Sequence, residues 1–363
     1  MRFFSSLALA LPVFAAATPT SVAPRWNRGN GDTSILNFEL ALEQLENAFY
    51  DQGLGKFDEN TCRASGFPNY SRGRFEEIRQ HELVHAAFLR EAIRRAGADT
   101  VEPCRYRFPL ENPATFAQGS LDISTIVAAA YTGALGLLEN REYRVTNGQI
   151  LSVESRQASW VNSALFRKNP WNTAFDTALT LRQAWSALSR YIESCPGQNA
   201  ELVPPQSTNP FPRLDVVSRL VPGQRGQVRF QGADNCEQRG LYVVFKTGLQ
   251  EVRAKLQNNG FFIVPQQVAN TGANFIFVTS NSNPCGDENI VAGPTIYQFS
   301  FGSYDNTGTG LAISDVETSG DFRPEGNAAD NGRSENIVSD EGAGSDNSRS
   351  RPGNHSDKNS SVW

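Results

Sequence analysis

Two segments of the chain repeat one arrangement of residues, and this repeat limits the fold more than any other feature. HELVHAAFLR carries the frame Glu-x-x-His-Ala-x-Phe from Glu82, and VESRQASWVN carries Glu-x-x-Gln-Ala-x-Trp from Glu154. Upstream, a Tyr lies seven residues after Glu43 in one half and seven after Ser124 in the other. Seven residues span two helical turns, so each pair lies on one face of a helix. The repeat predicts two related helix pairs.

Helical periodicity extends through the first half of the chain. In the first predicted helix, apolar residues recur at Ile35, Leu42, Leu45 and Phe49. Gly, Pro and Asn mark the breaks between helices. Further helices are predicted over residues 71–97, with Ser71 as N-cap, and over 116–139, 147–167 and 174–194. Together they predict a helical bundle over residues 33–196.

The period changes in residues 204–304. Short runs rich in β-branched and aromatic residues alternate there with turn residues: GQVRF, LYVVF, GFFIV, NFIFV and TIYQFSF. This spacing is typical of an antiparallel β-sandwich. The proline-rich segment VPPQSTNPFP is a natural linker between the two regions. The predicted fold class is therefore α+β multidomain, a helical bundle followed by a small β-sandwich.

The two ends of the chain have compositions of their own. Arg2, an apolar stretch over residues 3–14 and three alanines ending at Ala17 follow the order of a signal peptide, which predicts export and removal of residues 1–17. Residues 320–363 contain almost no apolar side chains, which predicts a disordered tail. Export predicts a secreted protein, extracellular or attached to a cell wall.

The charge and hydropathy of the sequence indicate which classes of partner to expect. The net charge is -5 and no stripe rich in Lys and Arg is present, which argues against nucleic-acid binding. The apolar stretch 123–138 is shorter than the about 20 residues that span a membrane, and no hydrophobic C-terminal tail is present. We therefore expect no membrane anchor.

The five cysteines are expected to form disulfides after export, because no Cys-x-x-Cys pair suggests a zinc site. The candidate pairs are Cys236 with Cys285 and Cys62 with Cys104, which leaves Cys195 over. Sequence alone does not fix the connectivity. The glycosylation candidates are the sequon residues Asn69, Asn354 and Asn359.

The repeated frame matches the way carboxylate bundles hold two metal ions, with a Glu from each of two helices and a Glu-x-x-His from each of the other two. Glu and His three residues apart project to one side of a helix, and they combine hard oxygen with borderline nitrogen donors. The candidate ligands are Glu43, Glu82, His85 and Glu154. His81 points roughly 100° away from Glu82, so we expect it on the surface or behind the ligands.

Two ligand positions are degenerate. Ser124 stands where the frame calls for Glu, and Gln157 stands where it calls for His. Ser removes a charge and shortens the reach, while Gln offers only a weak carbonyl oxygen. One Fe or Mn ion is therefore better supported than a pair, and a bundle without metal is the other alternative.

The segments ILNFELALEQLENAFY, HELVHAAFLR, AAYTGAL, VESRQASW and AFDTALTLRQAWSALSRYIESCP resemble ferritin-like-domain proteins. That group includes plant desiccation-related proteins and fungal stress-response and late sexual development proteins, and the β-region and tail are most similar to the last. The resemblance covers residues 33–196. It implies a ferritin-like four-helix bundle in a secreted fungal protein linked to development or stress, without a demonstrated activity.

Structural interpretations of the same residues remain open. Glu43 can be a solvated helix residue, because Glu39 and Glu46 make the first helix acidic. Tyr50 and Tyr131 are more typical of core or hydrogen-bonding residues than of redox groups.

Without a metal, the candidate ligands would need other partners. Glu82 and Glu154 would then be satisfied by hydrogen bonds from His85, Gln157 and the nearby Arg156, because buried carboxylates need a partner.

These observations favour a structural or interaction role with a degenerate two-metal site, in which the β-region contacts a cell-wall or protein partner. The alternative is an oxidoreductase or metal-handling protein with one Fe or Mn ion. A third interpretation is a desiccation protectant that acts through its tail. No GxGxxG, P-loop or GxSxG motif is present, so the sequence assigns no catalytic residue.

Overall fold

The computed structural model describes residues 30–280 and 286–302. In these ranges a helical region is followed by antiparallel β-sheets, which confirms the predicted fold class. The predicted signal peptide (residues 1–17) and the predicted tail (residues 320–363) lie outside the described residues. The bounds predicted for the separate domains stay predictions.

Four long helices form the bundle. In chain order the helices of this region are α1 (Asn30–Lys56), the short α2 (Glu59–Ala64), α3 (Ser71–Arg95), α4 (Pro113–Ala134) and α5 (Arg141–Trp160). α1 packs along α3, α4 packs along α5, and α1 also contacts α4. Residues 96–112 form the one long connection between the two helix pairs, an arrangement that occurs in ferritin-like folds.

Capping residues explain why α4 and α5 begin a few residues earlier than predicted. Asn112 and Thr115 form a capping box at the start of α4, where each side chain accepts a hydrogen bond from the other residue's backbone N–H. The side chain of Asn140 accepts hydrogen bonds from two backbone N–H groups in the first turn of α5. These caps satisfy backbone donors that the helices leave free, so they fix the helix starts.

The predicted helix over residues 174–194 is only partly helical. α6 (Leu181–Leu188) begins at a capping box formed by Thr180 and Gln183. Beyond α6, strand β1 (Arg105–Tyr106) pairs antiparallel with β2 (Ile192–Ser194). Residues 192–194 form a strand because they pair with a distant segment, and such tertiary contacts often outweigh local helix propensity.

The strand pair is locked by a disulfide between Cys104 and Cys195, with an S–S distance of 2.00 Å. The predicted pairing of Cys62 with Cys104 is therefore wrong, and Cys195 is not left over. Cys62 is a buried free thiol on α2, while the pairing of β1 with β2 brings the two bonded cysteines together. Cys236 is also buried, and its predicted partner Cys285 lies outside the described residues.

Two antiparallel sheets form the second region. The remaining elements are α7 (Asn199–Leu202), β3 (Asp215–Val216), β4 (Arg225–Arg229), α8 (Cys236–Arg239), β5 (Tyr242–Thr247), β6 (Gln250–Lys255), β7 (Phe261–Ile263), β8 (Gly272–Thr279) and β9 (Ile290–Phe299). One sheet has the strand order β3-β4-β7 and the other β6-β5-β8-β9. All five predicted runs fall on strands. β6 was not predicted, because this half-exposed edge strand carries charged residues and lacks an apolar run.

The four-stranded sheet is buried on both faces. On β8, Phe275 and Phe277 pack into the core of the bundle, while Ile276 and Val278 pack into the core between the sheets. Successive side chains of a strand point to opposite faces, so one strand serves both cores. The sheet therefore rests directly on the helices.

The apolar stretch 123–138 lies mostly in α4, whose inner residues pack in the bundle core. Within residues 30–280 and 286–302, no helix combines the length and apolar character needed to cross a membrane.

Candidate metal centre

Four side chains from three helices converge inside the bundle. Glu43 lies on α1, Glu82 and His85 lie on α3, and Glu154 lies on α5. Each offers one ligand atom, and these four atoms lie within 4.8 Å of one another. The three glutamates are fully buried, and the side chain of His85 is 12% exposed. The structure thus brings together the four residues that the sequence singles out as ligands.

Local structure explains why these side chains meet. Glu82 and His85 are three residues apart on α3, so both face the bundle interior together with the buried Ala86. The side-chain amide of Asn47 donates to the backbone oxygens of Glu43 and Glu82, at 2.9 and 3.0 Å. This bridge holds α1 and α3 in register at the level of the ligands.

Three carboxylates surround one imidazole nitrogen. Nδ1 of His85 lies 3.1 Å from Oε2 of Glu82 and 3.4 Å from both Oε2 of Glu43 and Oε1 of Glu154. The 3.1 Å contact alone has hydrogen-bond geometry. One nitrogen carries at most one proton, so it can satisfy only one of the three carboxylates at a time.

Several oxygens of this cluster have no hydrogen-bond partner among the described residues. They are Oε2 of Glu43 and both carboxylate oxygens of Glu154. Buried carboxylates require a cation or donors. A divalent ion held by three carboxylates and one imidazole would supply the missing positive charge, and this donor set suits Fe and Mn. The residues present therefore fit a metal ion.

The pKa values of these groups follow from the crowding of buried charge. Burial raises the pKa of Glu43 to about 7, and burial together with repulsion from Glu82 raises the pKa of Glu154 well above its usual value. Burial opposes the charged form of His85, but the three carboxylates outweigh it and raise the pKa of this imidazole far above its ordinary value. The cluster therefore binds protons tightly, and a metal ion would have to displace them.

The two degenerate positions also lie at the cluster. The amide Nε2 of Gln157 donates to Oε1 of Glu82 at 2.8 Å, and its Oε1 has no hydrogen-bond partner among the described residues. The hydroxyl of Ser124 donates to Oε1 of Glu46 at 3.3 Å. Both replacements thus make hydrogen bonds to carboxylates instead of supplying a charged or imidazole ligand.

The acidic neighbours of Glu43 on α1 are not solvated. Glu39 and Glu46 are both buried, at 1% and 0% exposure, so the interpretation of α1 as an acidic surface is wrong. Spacings of four and three residues place all three glutamates on one helical face, and this was the signal that could have revealed them. Glu39 accepts a hydrogen bond from Asn147, and burial raises its pKa to about 8.

The two repeat tyrosines are buried hydrogen-bonding residues. The hydroxyl of Tyr131 donates to Oε1 of Glu43 at 2.5 Å. The hydroxyl of Tyr50 instead bonds to that of Ser120, at 2.8 Å. Tyr131 thereby orients a candidate ligand, whereas the hydrogen bond of its repeat partner joins it to a serine hydroxyl.

A groove of about 400 Å³ lies on the outer side of α3 and α5. It is lined in part by His81, Trp160 and Gln157, and the last of these reaches inward to Glu82. His81 is exposed, as predicted. Arg156 is also exposed, and its Nε donates to the backbone oxygen of Ser152 rather than to a buried carboxylate.

Of the three glycosylation candidates, Asn69 lies exposed in the loop before α3. Asn354 and Asn359 lie outside the described residues. Glycosylation stays a prediction at all three.

Comparison with known proteins agrees with the bundle. Residues 31–167 match the family model described as a ferritin-like domain. This part of the chain, which holds all four candidate ligands, is a ferritin-like domain. The resemblance inferred from the sequence is confirmed to that extent.

A region of 189 residues is similar to Protein rds1 of Schizosaccharomyces pombe, at 24% identity. The match covers 52% of this chain and 44% of that protein. The chain therefore spans less than half the length of this relative.

Proposed function

We propose that the ferritin-like domain binds one Fe or Mn ion through Glu43, Glu82, His85 and Glu154. The observation that carries the proposal is the convergence of three fully buried carboxylates on one imidazole nitrogen. Hydrogen bonds within the cluster leave several carboxylate oxygens unsatisfied. A bound divalent ion would remove this deficit and offset the buried negative charge.

The chemistry available to such a site is metal handling or oxidation with O₂ or peroxide. When bound, Fe or Mn would supply one-electron redox chemistry. The protein would hold the ion, and the hydrogen bond from Tyr131 would orient Glu43. A small molecule in the groove would lie against Gln157, whose amide contacts Glu82. We therefore assign the domain to metal-binding oxidoreductases or metal-handling proteins.

The test is the metal content of the full chain, secreted by a fungal host and purified without chelators or metal-affinity resin. Elemental mass spectrometry should find about one Fe or Mn per chain in the wild type, and less than about a tenth in His85→Ala. His81→Ala is the matched control, because His81 is exposed on the same helix. A wild-type protein that stays free of metal after reconstitution with each ion would overturn the proposal.

A structural or interaction role without metal is the second candidate. It is favoured by the hydrogen bonds of Gln157 to Glu82 and of Ser124 to Glu46, which satisfy part of the buried carboxylate oxygens from within the bundle. The β-region would then contact a cell-wall polysaccharide or a protein. Co-sedimentation of the full, folded chain with insoluble wall polysaccharide would support this role.

We also propose that the protein is secreted and serves in development or under stress, with no nucleic-acid partner and no membrane anchor. The disulfide between Cys104 and Cys195 supports an oxidising compartment. N-terminal sequencing of protein from the culture medium should place the mature start just after Ala17. Retention of the full N-terminus inside the cell would contradict export.

A further inference from the structure

A cavity of about 210 Å³ lies where the helical bundle meets the four-stranded sheet. α4 and α5 line one side of it, and Phe275 of β8 and Gln298 of β9 line the other. Several residues of the segment 169–177 complete the lining. This volume is smaller than the about 300–1,000 Å³ of pockets for drug-sized ligands, so the cavity suits a molecule with a single ring.

The cavity is separate from the candidate metal centre. Ser155 and Ser159 of α5 line it, together with Asn162 of the π-helical turn that follows, Val161–Leu165. Spacings of four and three residues place these three side chains on one helical face. Glu154 lies on a different face, which points into the bundle. π-helical turns are rare and often occur at functional sites.

Gln298 reaches into the cavity without a hydrogen-bond partner. In the sheet, Ala273 pairs with Gln298 and Phe275 pairs with Ile296. Because Phe275 packs into the bundle core, the alternation of side chains along β9 turns Gln298 toward the helices. Its Oε1 and Nε2 are both buried, and neither has a hydrogen-bond partner among the described residues. Buried polar groups are nearly always hydrogen-bonded, so this amide calls for a ligand that both donates and accepts.

The other amide side chains hold the rim of the cavity in place. Nδ2 of Asn162 donates to the backbone oxygen of Asn169 at 2.7 Å, and Nδ2 of Asn169 donates to that of Trp171 at 2.6 Å. Oδ1 of Asn172 accepts a hydrogen bond from the backbone N–H of Ala273 at 2.7 Å. These bonds hold Trp171 beside the cavity, although this residue is 65% exposed. The rim is therefore preorganised to present an indole to a ligand.

The lining favours a neutral ligand rich in hydroxyl groups. Among the described residues that line the cavity, Arg156 and Asp176 are the only charged ones, and their charges are opposite. The other polar side chains are amides and hydroxyls, which pair with hydroxyl groups as donors or acceptors. A pyranose sugar offers hydroxyls around its ring and an apolar C–H face that an indole can cover.

We propose that this cavity binds the ring of a neutral pyranose sugar. The amide of Gln298 would bond to the sugar hydroxyls, and Trp171 would pack against the C–H face. A free monosaccharide and the terminal residue of a polysaccharide present the same ring, and the experiment separates these two sources. The inference goes beyond the metal-binding proposal and does not rest on it.

The experiment is isothermal titration of the full chain with D-glucose, D-mannose, D-galactose and N-acetyl-D-glucosamine, and with the trimers laminaritriose and chitotriose. The wild type should bind at least one of these probes with a Kd of about 1 mM or tighter. A monosaccharide bound as tightly as its trimer identifies a free sugar as the ligand, whereas tighter binding of the trimer identifies the end of a polysaccharide. Added chelator should leave the affinity unchanged, because the cavity and the metal centre are separate. No binding of any probe would overturn the proposal.

Variants locate the sugar. Trp171→Ala should weaken binding of the bound probe by about 10-fold, because the aromatic contact is lost. Tyr70→Ala, which removes another exposed aromatic side chain from a loop, should bind like the wild type. Gln298→Ala should weaken binding by about 10-fold or more, whereas Gln257→Ala, at an exposed amide, should not.

Wild-type affinity in both Trp171→Ala and Gln298→Ala would overturn the assignment of the sugar to this cavity. If Gln298→Ala fails to fold, Trp171→Ala decides the question, because it changes an exposed residue.

Discussion

The helix pair α1–α3 and the helix pair α4–α5 repeat one frame, and they differ in the side chains at its inner positions. The first pair supplies Glu43, Glu46, Glu82 and His85, all buried or nearly so. The second pair supplies Glu154 as its only carboxylate in the cluster of candidate ligands. Both helix pairs form the bundle, but most of the side chains that could bind a cation lie on the first pair.

This difference shows that packing and ligand positions can change independently. Both repeat tyrosines are fully buried, so each half keeps its part of the core. At the ligand positions, Ser124 and Gln157 find carboxylate acceptors and leave no unpaired charge of their own. A bundle can therefore keep its fold without ligands at two positions, because neutral polar side chains fill these positions and donate hydrogen bonds to the neighbouring carboxylates.

The largest effect is expected from Glu82→Gln. Glu82 contacts His85 and Gln157, so it connects the two halves at the cluster. Its neutral isostere should abolish detectable metal binding, a greater loss than the about 10- to 100-fold that follows from removing an outer partner. Isothermal titration with Mn²⁺ measures the change. Glu77→Gln, a largely exposed carboxylate on the same helix, should bind like the wild type, and unchanged affinity in Glu82→Gln would contradict the account.

The disulfide that joins the connection between the helix pairs to the segment after α6 gives the next effect. Replacing both Cys104 and Cys195 by Ser should lower the free energy of unfolding by roughly 4 kcal/mol, because the bond closes a long loop that the unfolded chain must otherwise explore. Urea denaturation under non-reducing conditions measures the loss. Cys62→Ser removes a buried thiol that is not cross-linked and should cost less. Equal losses in the two variants would argue against the disulfide.

The three buried glutamates of α1 (Glu39, Glu43 and Glu46) should make the stability of the metal-free protein depend on pH. Burial raises the pKa of Glu39 to about 8 in the folded state, so the folded chain holds a proton that the unfolded chain releases near its ordinary pKa. Stability from this group is complete below that ordinary pKa and is lost as pH rises toward about 8. The loss between acid and mildly alkaline pH is roughly 5 kcal/mol.

Glu39→Gln should therefore flatten the fall in stability between pH 5 and 8, measured by urea denaturation with chelator present. The matched control is Glu91→Gln, an exposed carboxylate whose removal should leave the pH dependence as it is. An identical pH dependence in Glu39→Gln and the wild type would contradict the burial of this carboxylate.

The smallest effect should come from the repeat tyrosines. Tyr131→Phe removes the hydrogen bond to Glu43 and should weaken metal binding by about 10-fold, since an orienting partner of a ligand is lost. Tyr50→Phe removes a bond to Ser120 instead and should leave the affinity unchanged. Competition with a fluorescent chelator measures both. Equal affinities in the two variants would show that Tyr131 does not orient a ligand.

Sequence alone predicted the four candidate ligands and the two regions, because the frame and the change of period are local patterns. It left open that Glu43 is solvated, because Glu39 and Glu46 make the helix acidic and their spacing was not considered as a buried face. It also paired Cys104 with the wrong cysteine. Which segments meet in β1 and β2 depends on the packing of distant elements, and no local pattern encodes that.

The packing of the four-stranded sheet also could not be predicted from a local pattern. The run NFIFV predicted a strand, but not that Phe275 and Phe277 would join the core of the bundle. A strand buried on both faces reads as one continuous apolar run, so the sequence does not reveal which core receives each side chain.

The central claim is that the bundle holds a metal ion, with three of its four ligands on the first helix pair. Crystals of the full chain grown with Mn²⁺ and measured at the manganese absorption edge test it most directly. The account predicts an anomalous peak among Glu43, Glu82, His85 and Glu154 that disappears in His85→Ala. A wild-type map without a peak at this cluster, with manganese present in the crystal, would contradict it.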